Sequence, residues 1–161
     1  MSTILKTALA LREQGFAIHW LVPKEKRPVE AGWADAPIMS IKELETTYRT
    51  GYNVGFRPGK WSVFEGKEVV VLDIDIRGGE PFADEAYAVA TSVLGGAYDP
   101  QVMSGSGWGR HQYLLVPKGQ SPACAATTLR ESDIWILEGK VCNPNTKGAR
   151  PAYVVEVLST G

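Results

Sequence analysis

The stretch Val69-Val70-Val71-Leu72-Asp73-Ile74-Asp75 constrains this chain more than any other. Four apolar residues run straight into two carboxylates spaced i, i+2. A continuous run of that kind predicts a strand buried on both faces. Side chains at i and i+2 of a strand point to the same face, so Asp73 and Asp75 stand side by side at the end of a rigid element. Like charges held that close repel each other. A divalent cation removes the conflict. The competing reading is a strand end with two solvated or helix-capping aspartates, because Asp is common where strands exit into loops. Spacing alone gives the two equal weight.

A chain of 161 residues is long enough for a real core and predicts one domain over 1–161. Its 44% apolar and 22% charged content is ordinary for a soluble globular protein. The formal net charge of -1 announces no global basic field, although local patches matter more than the sum. Cys124 and Cys142 form neither a zinc motif nor a disulfide framework, which points to a reduced, cytoplasmic setting. The N-terminus has no long apolar region typical of a signal peptide, and no run approaches a membrane span.

Ile4, Leu5, Ala8, Leu9 and Leu11 recur at helical spacing, and Gly15 supplies a helix stop. Phe16 to Val22 is a strand candidate closed by Pro23. Lys24-Glu25-Lys26-Arg27-Pro28 is a basic loop, for which a solvated turn is the simplest account. Ser40-Ile41-Lys42-Glu43 has the form of a capping box and opens a helix to about Tyr48. Asn53 to Phe56 predicts a short strand before a Pro58-Gly59 turn. A third helix is expected from Phe82 to Val93, and further strands at His111 to Val116, Ile134 to Leu137 and Tyr153 to Val157. The later connections are too short for helical crossovers, which favours α+β with a largely antiparallel sheet.

Two further segments carry chemistry. Ser104-Gly105-Ser106-Gly107-Trp108-Gly109-Arg110-His111 is rich in glycine and serine. Loops of this composition cradle phosphate oxygens with backbone N–H groups, and Arg110 and His111 can complete an anion site. It is neither a Walker A loop nor a dinucleotide fingerprint, and a hairpin connection explains it as well. Asp133, in Ser132-Asp133-Ile134-Trp135-Ile136, is a third acid at the end of an apolar run. Brought to Asp73 and Asp75 by sheet pairing, it would complete an all-oxygen site suited to Mg²⁺ or Mn²⁺, with Glu131 as the fallback ligand.

The order of these motifs resembles the bifunctional DNA primase/polymerase (prim-pol) domain of the archaeo-eukaryotic primase superfamily, from about Ala8 to Val157. Ala10 to Ala17, Pro23, Lys26-Arg27-Pro28 and Gly32-Trp33 are similar to the family's opening. Asn53-Val54-Gly55, Asp73-Ile74-Asp75, Ser104-Gly105 with His111-Gln112-Tyr113, and Asp133-Ile134 follow in the family's order. The resemblance implies an α+β primase-like core with an RRM-like half of the sheet. It implies a two-metal site of Mg²⁺ or Mn²⁺ on Asp73, Asp75 and Asp133. His111 would contact the nucleoside triphosphate, with Ser104, Gly105 and Ser106 beside it. Arg110 is added on charge alone. Lys26, Arg27 and Asn53 would touch nucleotide or sugar-phosphate. The loop before His111 is longer than the family's commonest form, and Leu137 to Pro144 replaces its usual glycine-rich stretch.

The activity implied is template-directed nucleotidyl transfer in replication. The partners implied are nucleoside triphosphates, single-stranded DNA template and primer, and a helicase or helical accessory domain if the chain is part of a longer replication protein. A metal-dependent nuclease or phosphodiesterase and an inactive nucleotide- or nucleic-acid-binding module are the alternatives.

Overall fold

The computed structural model describes residues 2–96, 99–104, 107–122 and 126–159. In chain order the elements are α1 (Thr3–Glu13), β1 (Ala17–Leu21), α2 (Ile41–Thr47), β2 (Asn53–Arg57), β3 (Gly59–Phe64), β4 (Lys67–Ile76), α3 (Ala83–Val93), β5 (Val102–Met103), β6 (Arg110–Pro117), β7 (Ala126–Glu131), β8 (Trp135–Leu137), β9 (Lys140–Cys142), β10 (Arg150–Pro151) and β11 (Tyr153–Leu158). The class is α+β with antiparallel pairing, as expected. No helix among the described residues is long and apolar enough to cross a membrane.

The structure divides into two compact units. One comprises the described residues of Met1–Val69, Leu115–Cys124 and Ser159–Gly161; the other, those of Val70–Leu114 and Ala125–Leu158.

In the first unit, β1 pairs with β2 in antiparallel register, His19 opposite Gly55. The helices bury Ala8 and Leu44 with Ile18 and Trp20 of β1. The capping box at Ser40 forms as predicted, with the Glu43 amide donating to the serine hydroxyl and the Ser40 amide to the Glu43 carboxylate. Gly15 ends α1 because its φ is +101° and a Cβ there would collide with the Val63 carbonyl. Arg57 is buried, yet its guanidinium is satisfied: Nη1 donates to the carbonyls of Ala34 and Ala36, and the group lies 4.3 Å from the centre of the Trp61 ring.

The second unit is built on the strand order β5-β6-β4-β11-β7. Leu72, Ile74 and Ile76 of β4 and Tyr153 and Val155 of β11 pack against Ala83, Ala86 and Ala90 of α3. The small alanines let the helix lie close to the sheet, and the alternation of the strands sends every second side chain to the opposite face. There β4 places Asp73 and Asp75, and β11 places Glu156 opposite Asp73. A separate three-stranded sheet has the order β10-β8-β9.

Five strands are absent from the sequence prediction: β3, β5, β7, β9 and β10. β7 reads Ala-Thr-Thr-Leu-Arg-Glu and β9 Lys-Val-Cys, without the apolar alternation that marks a half-buried strand. Their partners hold them, not their own pattern.

Candidate active site

Strand β4 delivers both aspartates as predicted, on the face away from α3. Asp73 is 18% exposed and pairs with His111, whose Nε2 lies 3.0 Å from Asp73 Oδ1. His111 stands on β6, next to β4 in the sheet. The two residues are 38 positions apart in sequence, and strand pairing alone brings them together. Asp75 pairs with Arg77 on its other side, at 2.8 Å.

The third acid on this face is Glu156 of β11, opposite Asp73 in register. Directly opposed cross-strand residues share a face, with Cβ atoms about 5 Å apart. Burial holds the Glu156 carboxyl above its usual range, and the charges of Asp73 and Asp75 push it the same way, partly offset by Arg77. Sequence reasoning missed this residue. Its signal was an acid breaking the run Val154-Val155-Glu156-Val157, which also fits an ordinary solvent-facing position.

Asp133, expected as the third ligand, goes elsewhere. It lies beyond the end of β7, and β11 separates β7 from β4. Its carboxylate is 89% exposed and pairs at 3.0 Å with Arg130. Arg130 is opposite Val155, a residue of the α3-facing core, and interacts with the Tyr153 hydroxyl on that same side. Its partner Arg130 is thus on the helix side of the sheet, not on the face of Asp73. Glu131, the fallback, is opposite Val154, which is in turn opposite Asp75, so a whole strand intervenes there too.

The loop before His111 is a tightly bonded turn. Ser104 N donates to Gly109 O, and Gly107 N to Ser104 O, so two amides expected to face phosphate are used within the turn. Arg110 serves the loop itself: its Nη1 donates to the carbonyls of Gly107, Trp108 and Gly109, and its guanidinium lies 5.7 Å from the Tyr87 ring centre. The Tyr87 hydroxyl donates to Trp108 O, tying the loop to α3. Gly109 approaches β4 so closely that a Cβ would stand 2.9 Å from Ile74 O and 2.5 Å from Ser104 Oγ. Gly105 and Ser106 lie outside the described residues.

Lys26, Arg27 and Asn53 belong to the first unit. Lys26 is exposed, Arg27 pairs with Glu25 at 3.0 Å, and Asn53 Oδ1 accepts from the Val54 amide.

Among the described residues, no three His, Cys, Asp or Glu side chains are already gathered at coordinating distances. The donors nevertheless fit a hard cation. Three carboxylate residues share one face of adjacent strands, and the Glu156 carboxyl is raised first by burial and then by the charges of Asp73 and Asp75, the second of which a divalent ion would relieve.

Asp73 and Asp75 on one strand and His111 on the next sit in an antiparallel α+β frame compatible with a primase-like core. The chain belongs to the bifunctional DNA primase/polymerase N-terminal family, whose model matches residues 8–158. No curated protein and no solved structure matches it.

Proposed function

We propose that this chain is a metal-dependent, template-directed nucleotidyltransferase, a DNA primase/polymerase acting in replication. The observation that carries the reading is the placement of Asp73 and His111 on adjacent strands, 3.0 Å apart, in a chain of this family.

A divalent cation, Mg²⁺ or Mn²⁺, held by Asp73, Asp75 and Glu156 would neutralise the triphosphate and make the attacking hydroxyl more acidic. The protein's own contribution is positioning and electrostatics. Asp73, Asp75 and Glu156 concentrate negative charge on one face, which selects for cations and their phosphate complexes. His111, 29% exposed beside Asp73, has Nε2 within reach of a phosphate oxygen brought to that carboxylate. Ser104 would border the seat, and Arg110 donates to the carbonyls of Gly107, Trp108 and Gly109. In the reaction, the 3′-oxygen of the growing strand bonds to the α-phosphorus of the incoming nucleotide. The bond from that phosphorus to the bridging oxygen breaks, pyrophosphate leaves with the electron pair, and the hydroxyl proton passes to solvent. Lys26, Arg27 and Asn53 are proposed as further contacts to nucleotide or sugar-phosphate, on side-chain chemistry alone.

The test is extension of a labelled primer on a single-stranded template with deoxynucleotides or ribonucleotides and Mg²⁺ or Mn²⁺. Wild-type protein extends the primer, and Asp75→Asn lowers the rate at least about a thousandfold while circular dichroism is unchanged. Shortening of the strand without extension would identify a nuclease instead. Nucleotide binding indifferent to either metal, with no extension, would identify a binding module.

A further inference from the structure

On the sheet, Asp73 and Asp75 have different neighbours. Asp73 meets His111 on β6, whereas Asp75 borders a groove of about 370 Å³ formed with β8, its turn and β10. We propose that this groove seats the sugar-phosphate backbone of the primer strand, bringing its 3′ end to the acids. The inference rests on the nucleotidyl-transfer reading.

Such a reaction needs two seats flanking one group of acids, one for the triphosphate and one for the strand that attacks it. With the triphosphate on the β6 side, the groove offers a second approach to Asp75. Its chemistry suits a phosphodiester strand. Arg77 comes from the end of β4 and Arg150 from β10, so two guanidinium groups enter from different strands. Arg77 is already paired with Asp75. Among the described residues Arg150 has no carboxylate partner, which leaves its fork available to a phosphate. Asp75 and Glu138 balance the two arginines in the lining, so the phosphate contact rests on the Arg150 fork and not on a basic field. Ile136 and Leu137 supply an apolar wall for the sugar, and Arg150 is opposite Ile136 in register.

Two glycines form the turns of the lining. Gly139 has φ +77° and Gly148 φ +86°, both in the left-handed region where glycine is favoured. A Cβ at Gly139 would meet nothing within 4 Å, so that stretch of lining is bare main chain.

The experiment is fluorescence-anisotropy titration of Arg150→Glu and Arg150→Gln against a primer–template with a recessed 3′ end and against the template strand alone, over a salt series. Arg150 is exposed, and circular dichroism of both variants checks the fold. Arg150→Glu is expected to weaken primer–template binding about tenfold, with Arg150→Gln smaller in the same direction. The slope of log affinity against log salt should fall by about one, as for loss of one phosphate contact. In primer extension the KM for primer–template rises and that for nucleotide stays unchanged. Unchanged binding and slope would overturn the inference. An equal loss on template alone would assign the groove to the other strand, and a loss confined to nucleotide would assign it to the triphosphate; either overturns it. Wild-type extension decides the underlying reading separately: if the wild type extends primers while Arg150→Glu binds them normally, only the groove assignment falls.

Discussion

Glu156 of β11 stands opposite Asp73 of β4, on the face of the sheet that α3 does not cover. This pairing makes Glu156, not Asp133, the third acid beside the two aspartates. Glu156→Gln is expected to weaken Mn²⁺ binding about tenfold or more, and Asp133→Asn to leave it unchanged. Titration of the protein with Mn²⁺, followed by electron paramagnetic resonance of the free ion, measures both. The reverse ranking would return the third ligand to Asp133.

The same substitution has a stability signature. The folded-state pKa of Glu156 lies above its ordinary 4.5. A raised carboxyl favours the fold fully below pH 4.5, and that contribution is lost as pH rises through the folded value. Removing the charge therefore stabilises the metal-free protein at neutral pH. In excess chelator, Glu156→Gln should melt about 2 °C or more above wild type at pH 7, and the gain should vanish at pH 4. Equal melting temperatures at pH 7 would show that neither burial nor the neighbouring acids penalise the Glu156 carboxylate in the fold. A group that destabilises the fold it sits in is what a site kept for function predicts.

Gly109 is needed for contact rather than for conformational freedom. A side chain there would press on Ile74 O and Ser104 Oγ, and neither main chain nor turn can yield cheaply. Gly109→Ala should push the loop off β4 and weaken nucleotide binding about tenfold, or about 1.4 kcal/mol. Titration with a fluorescent nucleotide in Mn²⁺ reads the loss. Wild-type affinity would mean that the loop does not contribute to the nucleotide seat.

His19 makes the first unit acid-sensitive. It is 8% exposed, its Nδ1 has no hydrogen-bond partner among the described residues, and its ring centre lies 4.7 Å from that of Trp33. Burial, assisted by the Arg57 charge, lowers its pKa from 6.5 to about 4. The unfolded chain takes up this proton near pH 6.5 and the folded chain only near 4, so stability falls as pH drops through that window. A loss of about 3 kcal/mol between pH 7 and pH 4 is expected from this group. His19→Phe should flatten that stretch of the profile in urea denaturation. An unaltered pH profile would place the acid sensitivity elsewhere. Gly55 belongs to the same arrangement: a Cβ at this cross-strand partner would stand 2.7 Å from His19 Nε2.

Much of the frame was legible because it rests on local rules. The buried run into Asp73 and Asp75 specifies a strand and a shared face, and Ser40 to Glu43 specifies a helix start. The order of motifs identified the family that spans residues 8–158. Arg110 was legible as a cation beside a glycine loop, but not as the clamp of that loop, because its partners are carbonyls that carry no sequence signature.

By itself, the sequence determined which residues alternate, which segments turn and which two acids travel together. Tertiary structure decided which acid completes the group. A lone carboxylate in a strand, as at Glu156, reads the same whether it faces solvent or another strand's aspartate. Only the register of β11 on β4 distinguishes them, while Arg130, the partner of Asp133, is on the helix side of the sheet.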